Sequence, residues 1–268
     1  MHNSIQLNNG NNSSESPIFS EVSQMMGLSK TDWSWGTVFV DLDNDGFKDV
    51  FITNGVLRDV NNNDANRSFE KASFFGRKND YTKLPSTPIS NYAFRNNGNL
   101  NFDQITEEWG LDKKGFSNGV AYGDLDNDGN IELVINNINS TASIYKNTSS
   151  GKNYLRIKLQ GPKSNPLGLG TKVWITSSKT EQYIEHTLTR GFQSSVEPMV
   201  HFGLGDSKIV EKVKIQWPDG KIEYIENTSA NQVLTVDYAD LQYEIVAQNT
   251  QNSLPFYQIQ NIDIPFRH

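Results

Sequence analysis

The chain has 268 residues, enough for one large all-β unit or two ordinary domains, and its lack of cysteine excludes disulfide frameworks, zinc ribbons and thiol nucleophiles. Its 14 Phe, 10 Tyr and 5 Trp supply apolar surface that a disordered chain lacks, while a net charge of −7 without a basic cluster argues against nucleic acid as a partner. No apolar run approaches the roughly 20 residues of a membrane span, and the opening MHNSIQLNNG has no signal-like segment, so any export signal is expected outside these residues.

Along the chain, the first strand signal ends in an Asn-Asn-Gly turn at Asn8-Asn9-Gly10, and the same turn returns at Asn96-Asn97-Gly98. This belongs to a longer repeat. Residues 19–54 align without gaps with residues 102–137 at an offset of 83, and the run DLDNDG is identical in both copies. Short runs of β-formers flank each acidic run and predict hairpins: strands at 37–40 and 50–53, then at 120–122 and 133–135, with a closing strand at 143–146. Residues 55–91 have no counterpart after the second copy and form a polar, Asn-rich insertion, with one short helix expected over 64–75 before Gly76. Without the insertion the repeat is close to the length of a propeller blade.

The acidic runs continue to Asp41-Leu-Asp43-Asn-Asp45-Gly46-Phe47-Lys-Asp49 and Asp124-Leu-Asp126-Asn-Asp128-Gly129-Asn130-Ile-Glu132. Four carboxylates within nine residues repel one another unless a cation lies among them. A calcium-sized ion suits such a loop: side chains at positions 1, 3, 5 and 9 and the carbonyl of Phe47 or Asn130 supply oxygens, and glycine allows the sharp turn. Magnesium demands a tighter octahedron and fits less well. The alternative is a solvated acidic turn. An EF-hand needs Glu at position 12, where this chain has Ile52 and Ile135, and the flanks lack helical stripes. With a carboxylate at position 9 and strands on both sides, the loops resemble the calcium loops of integrin α-subunit β-propellers, the FG-GAP or VCBS repeats. Two Ca²⁺ sites are therefore expected, each enclosed by its own hairpin, independent of the other and structural in role.

Trp33 and Trp35 flank Ser34 just before the first acidic loop, where strand alternation would put both rings on one face. They suit either a platform for a sugar or partner, or packing between blades. The second reading is preferred because Phe116 and Asn118 stand at the matching positions.

From about residue 151 the pattern changes to strand alternation, with Leu155, Ile157 and Leu159 on one face and Arg156 and Lys158 on the other. Further strand signals follow at 173–176, 183–188, 213–217, 224–225 and 233–236, and Trp217-Pro218-Asp219-Gly220 reads as a tight turn. This region resembles the ASPIC/UnbV domain through Gly168-Leu-Gly170, Arg190-Gly191-Phe192-Gln193-Ser194-Ser195 with Pro198, His201-Phe-Gly-Leu-Gly205, the Trp-Pro-Asp-Gly turn and Asn231-Gln-Val-Leu-Thr235. FG-GAP/VCBS repeats followed by such a domain characterise the cartilage acidic protein family and large bacterial surface proteins. The resemblance implies an extracellular, calcium-binding, adhesion-like protein with no settled activity.

The resulting expectation is an all-β chain: blades of an incomplete β-propeller over residues 1–150, a small sandwich or barrel-like ASPIC/UnbV domain over 151–240, and a linker into a following repeat block over 241–268. Two repeats are fewer than a propeller's minimum of about four blades, so a fragment of a longer protein is expected, its edges covered by missing blades or by the second domain. No catalytic residue can be named, since H-E-x-x-H, G-x-S-x-G and phosphate-binding loops are all absent. His201 reads as a hydrogen-bonded structural histidine, and Ser194 and Ser195 as turn formers; Arg190 and Phe192 are secondary ligand candidates. The function that fits is a non-enzymatic cell-surface or secreted module binding a glycan or extracellular protein. The alternatives are a hydrolase or lyase of polysaccharide metabolism and a purely architectural piece.

Overall fold

The structure, a computed structural model, describes residues 2–240 except 14, 61, 65–66, 68–81, 83 and 179, together with 244–245. Its strands run β1 (Gln6–Asn11), β2 (Pro17–Glu21), β3 (Ser34–Val40), β4 (Asp49–Asn54), β5 (Ile89–Ser90), β6 (Tyr92–Asn96), β7 (Phe102–Gln104), β8 (Lys114–Gly115), β9 (Ser117–Gly123), β10 (Glu132–Asn137), β11 (Ser143–Tyr145), β12 (Asn153–Gln160), β13 (Lys172–Ser177), β14 (Thr180–Glu185), β15 (Val200–Gly205), β16 (Ile209–Gln216), β17 (Lys221–Ser229), β18 (Gln232–Asp237) and β19 (Glu244–Ile245). The helix expected over 64–75 and the linker expected over 241–268 lie largely outside the described residues.

In the first half, β3-β4-β6-β7 and β9-β10-β11 are antiparallel meanders whose first hairpin carries an acidic loop. The insertion falls between β4 and β6, so it leaves the pairing of β4 with β6 intact. Strand β4 is buried along its whole length, and its alternation divides two cores. Val50 and Ile52 join Phe94, Val22, Met26 and Leu28, while Phe51 packs with Val38, Val40, Leu133 and Ile135 from both copies.

Glycine fixes how the copies approach. A Cβ at Gly36 would sit 2.8 Å from the Asn118 carbonyl oxygen, which also accepts the Thr53 hydroxyl. The matching residue in the second copy, Gly119, faces the second domain: its Cβ would lie 2.7 Å from Ser194 Oγ and 3.0 Å from the Phe192 carbonyl oxygen. The second domain thus lies against the second copy at the position where the second copy lies against the first.

That domain is a sandwich of two open sheets, β15-β12-β18 on β14-β13-β16-β17-β19. The alternation read from sequence sends Leu155, Ile157 and Leu159 into a core shared with Phe202, Val213, Ile215 and Trp217. The Trp-Pro-Asp-Gly turn joins β16 to β17, with Gly220 at φ 90 donating its N–H to the Trp217 carbonyl at 2.9 Å. The other face of the smaller sheet covers the acidic loops.

Candidate metal centre

Both loops have the same backbone. Positions 4 and 6 take left-handed φ, at Asn44 (59) and Gly46 (98) and at Asn127 (62) and Gly129 (89), where Asn and Gly are the least strained residues. This curls the first carboxylate back over the loop: Asp41 Oδ2 accepts the Gly46 N–H and Asp124 Oδ2 the Gly129 N–H, each at 2.9 Å. Position 9 ties the loop base to the neighbouring strand. Asp49 accepts the N–H groups of Leu42 (2.9 Å) and Asn96 (3.0 Å), and Glu132 those of Leu125 (2.8 Å) and Asn147 (3.2 Å).

Carboxylate oxygens of Asp41, Asp43 and Asp45 lie within 4.8 Å of one another, as do those of Asp124, Asp126 and Glu132. Asp49 and Asp128 stand outside these groupings; Asp128 Oδ1 accepts the Asn130 N–H at 2.8 Å. The Phe47 ring is exposed and lies over Gly98.

The loops differ in how their charge is met. In the second, Arg156 Nη1 donates to Asp124 Oδ2 at 2.7 Å, and Lys146 Nζ donates to Asp126 at 2.5 Å. In the first, Asp41 is fully buried and its Oδ1 has no hydrogen-bond partner. Burial pushes Asp41 up to about 6 against the pull of Lys48 and the Gly46 N–H, and Asp49 up to about 8 despite its two N–H donors. An unfolded aspartate titrates near 3.9, so both groups hold their protons more tightly when folded. Their contribution to stability is complete below about pH 4 and is lost as pH rises through 6 for Asp41 and 8 for Asp49. Chelated protein is therefore expected to melt at a lower temperature near pH 8.5 than near pH 5.5, as followed by circular dichroism; a flat profile would show that these carboxyls are hydrated in the metal-free fold.

Neither hairpin encloses its loop alone, contrary to the sequence expectation. The His-Phe-Gly-Leu-Gly strand alternates: Phe202 and Leu204 enter the sandwich core, while His201, Gly203 and Gly205 face the first loop. His201 Nε2 is hydrogen-bonded to Asn44 Oδ1 at 2.7 Å, and the Gly205 N–H donates to the Asn44 carbonyl at 2.8 Å, which covers the edge of β15. A Cβ on Gly203 would lie 2.1 Å from Asp41 Oδ2, so only glycine admits this approach. Burial lowers the His201 pKa well below its usual value and keeps the ring neutral.

The second loop is held by Arg156, whose Nη2 donates to Glu197 Oε1 at 2.5 Å while Glu197 Oε2 accepts the Asp124 N–H at 3.0 Å. The loops also touch: Asn44 Nδ2 donates to the Gly129 carbonyl and to Asn130 Oδ1, each at 3.1 Å. The two loops are thus bridged directly, because the fourth residue of the first loop points across to the second rather than into solvent.

The aromatic candidates separate. Trp35 and Phe192 meet with ring centroids 5.0 Å apart, across the junction of the two halves, and Trp35 Nε1 donates to the Gly55 carbonyl at 2.7 Å. Trp33 precedes β3 and is half-buried, and Arg190 turns to a cavity beside the first loop. Ser194 sits in the turn before Glu197, its hydroxyl donating to the Phe192 carbonyl at 2.8 Å. The junction residues Asn44, Arg156, Glu197 and Gly203 were missed from sequence; glycines at every second position of a strand were the available signal of close backbone approach.

The segment that supplies Glu197 and the glycine strand is also the part of the chain that comparison picks out. Residues 161–242 match the ASPIC and UnbV family model. Cartilage acidic protein 1 of Mus musculus is 26% identical over 220 residues, covering 80% of this chain and 30% of that protein. Its Xenopus tropicalis counterpart is 28% identical over 162 residues, 56% of this chain and 25% of that protein. The chain thus spans less than a third of the length of these curated relatives. Among the described residues, no helix is long and apolar enough to cross a membrane.

Proposed function

We infer that the chain is a calcium-stabilised, non-enzymatic binding module of a secreted or cell-surface protein, with the two acidic loops each holding one structural Ca²⁺. On this reading the meanders are FG-GAP/VCBS-type propeller blades, and further blades belong to a longer chain. The ASPIC/UnbV domain closes one flank by taking a blade's place. The observation that carries it is Asp41: a fully buried carboxylate with an unpartnered oxygen, grouped with Asp43 and Asp45, is costly without a cation. The donors are all oxygen, which suits a hard ion, and Asp49 and Glu132 hold the loop bases where the ion would sit. The first loop, with its orphan oxygen, would bind the tighter of the two ions; in the second, Arg156 and Lys146 already offset part of the charge. An extracellular partner, a glycan or a protein, fits a module whose metals serve shape.

Calcium in the range typical of extracellular modules binds with Kd of about 10⁻⁴ to 10⁻³ M. At about a hundred times Kd each ion adds roughly 2.7 kcal/mol, which for a chain of this size is a rise of roughly 5–10 °C in melting temperature. Differential scanning fluorimetry with Ca²⁺, Mg²⁺ and chelator reads this directly. An unchanged transition across all three, with no calcium bound in equilibrium dialysis at calcium concentrations well above that Kd, would refute the metal assignment.

A further inference from the structure

Between the two halves lies a cavity of about 460 Å³, within the size range of small-ligand sites. Both halves line it: Phe39, Lys48 and Tyr122 from the meanders, Tyr183, His186 and Arg190 from the second domain. Phe39 and Tyr183 are exposed at 42% and 49%, and so give the cavity an open aromatic rim.

Two basic side chains line it. Lys48 Nζ donates to the His201 carbonyl at 3.3 Å, and Arg190 donates to the Thr187 and Glu185 carbonyls, also at 3.3 Å. Neither forms an ion pair among the described residues. Glu185 also lines the cavity, its carboxylate accepting the Tyr183 hydroxyl at 3.3 Å. His186 is 3% exposed and its Nε2 has no partner. Drawing two like charges into one cavity is unfavourable in the empty protein, and an entering anion relieves it. Arg presents a planar fork matched to a carboxylate, and the aromatic faces offer an apolar wall beside hydroxyl and imidazole groups. A ligand combining a carboxylate, an apolar ring face and hydroxyls answers all of these features.

We propose that this cavity binds a carboxylated sugar, a uronate unit, with Arg190 and Lys48 on its carboxylate and Phe39 and Tyr183 against its ring. The proposal rests on the calcium reading at one point: an ion in the first loop takes up the charge of Asp41, which otherwise acts on Lys48.

The test is calorimetric titration of the calcium-loaded chain with glucuronate and galacturonate, and with glucose, galactose and succinate as comparisons. The uronates are expected to bind, with the neutral sugars and succinate at least tenfold weaker. Arg190→Gln and Phe39→Ala should each weaken uronate binding at least tenfold while the calcium-dependent rise in melting temperature is kept; Phe39 is on the rim, so its truncation leaves the fold standing. Uronate binding that is absent, matched by succinate or a neutral sugar, or unchanged in both variants would overturn the proposal. If calcium still raises the melting temperature in that event, the metal reading survives without it; melting indifferent to calcium would sink the metal reading instead.

Discussion

Replacing Arg156 by methionine is expected to lower the melting temperature of the chelated protein by roughly 6–20 °C. Arg156 is 2% exposed and holds two carboxylates at once, Asp124 at 2.7 Å and Glu197 at 2.5 Å. Methionine has comparable length but no charge, so Asp124, whose side chain is fully buried, is left without its cation. Removing one partner of a buried ion pair costs about 3–5 kcal/mol, and each kcal/mol moves the melting temperature of a domain of 150–250 residues by about 2–4 °C. Arg156→Lys should recover little, because a single ammonium cannot span both carboxylates as the guanidinium fork does. Adding Asp124→Asn to Arg156→Met should restore part of the loss, since it removes the stranded charge. Thermal unfolding of the three variants by circular dichroism decides the matter. A single Arg156→Met variant melting within about 2 °C of the parent would mean that water reaches Asp124 and the junction is not sealed.

Arg156 also marks where the sequence stops being informative. Much of the local structure was legible, though the short strands β2, β5, β7 and β8 and the glycine strand β15 were not. Period-two alternation gave the sandwich strands, as at Leu155, Ile157 and Leu159, and the repeated DLDNDG gave both hairpin loops. The Trp217-Pro218-Asp219-Gly220 turn formed as its residue types require. Strand ends were less visible: β3 begins at Ser34 rather than at 37, because pairing of Ser34 with Asn54 continues past a bulge that propensity does not register. What stayed hidden was long-range. Arg156 is 32 residues from Asp124 and 41 from Glu197, and His201 is 157 from Asn44. Alternation assigns Arg156 to the face away from the core, and nothing in the neighbouring residues says whether that face meets water or another domain. The same holds for Asn44, which reads as a turn residue yet spends its amide on the second loop and on His201.

Gly203→Ala should reach the first loop through backbone, and so have the second large effect. The added methyl would lie 2.1 Å from Asp41 Oδ2 and 2.6 and 2.7 Å from the carbonyl carbon and Cα of Asn44. Side-chain rotation cannot clear the Asn44 contacts, so either the loop or β15 must move. Overpacking of this kind costs about 1–3 kcal/mol and sometimes more, a drop of roughly 2–12 °C in melting temperature. Moving the loop would also displace Asp41 and break the Gly205 N–H to Asn44 carbonyl bond, so bound calcium should fall from two ions toward one by elemental analysis. Gly115→Ala is the comparison: its Cβ meets nothing within 4 Å, and its stability should stay within about 0.5 kcal/mol of the parent. Should Gly203→Ala prove as mild as Gly115→Ala and keep both ions, the close seating of the glycine strand on the loop would be wrong. The loop's shape would then come from its own hairpin alone.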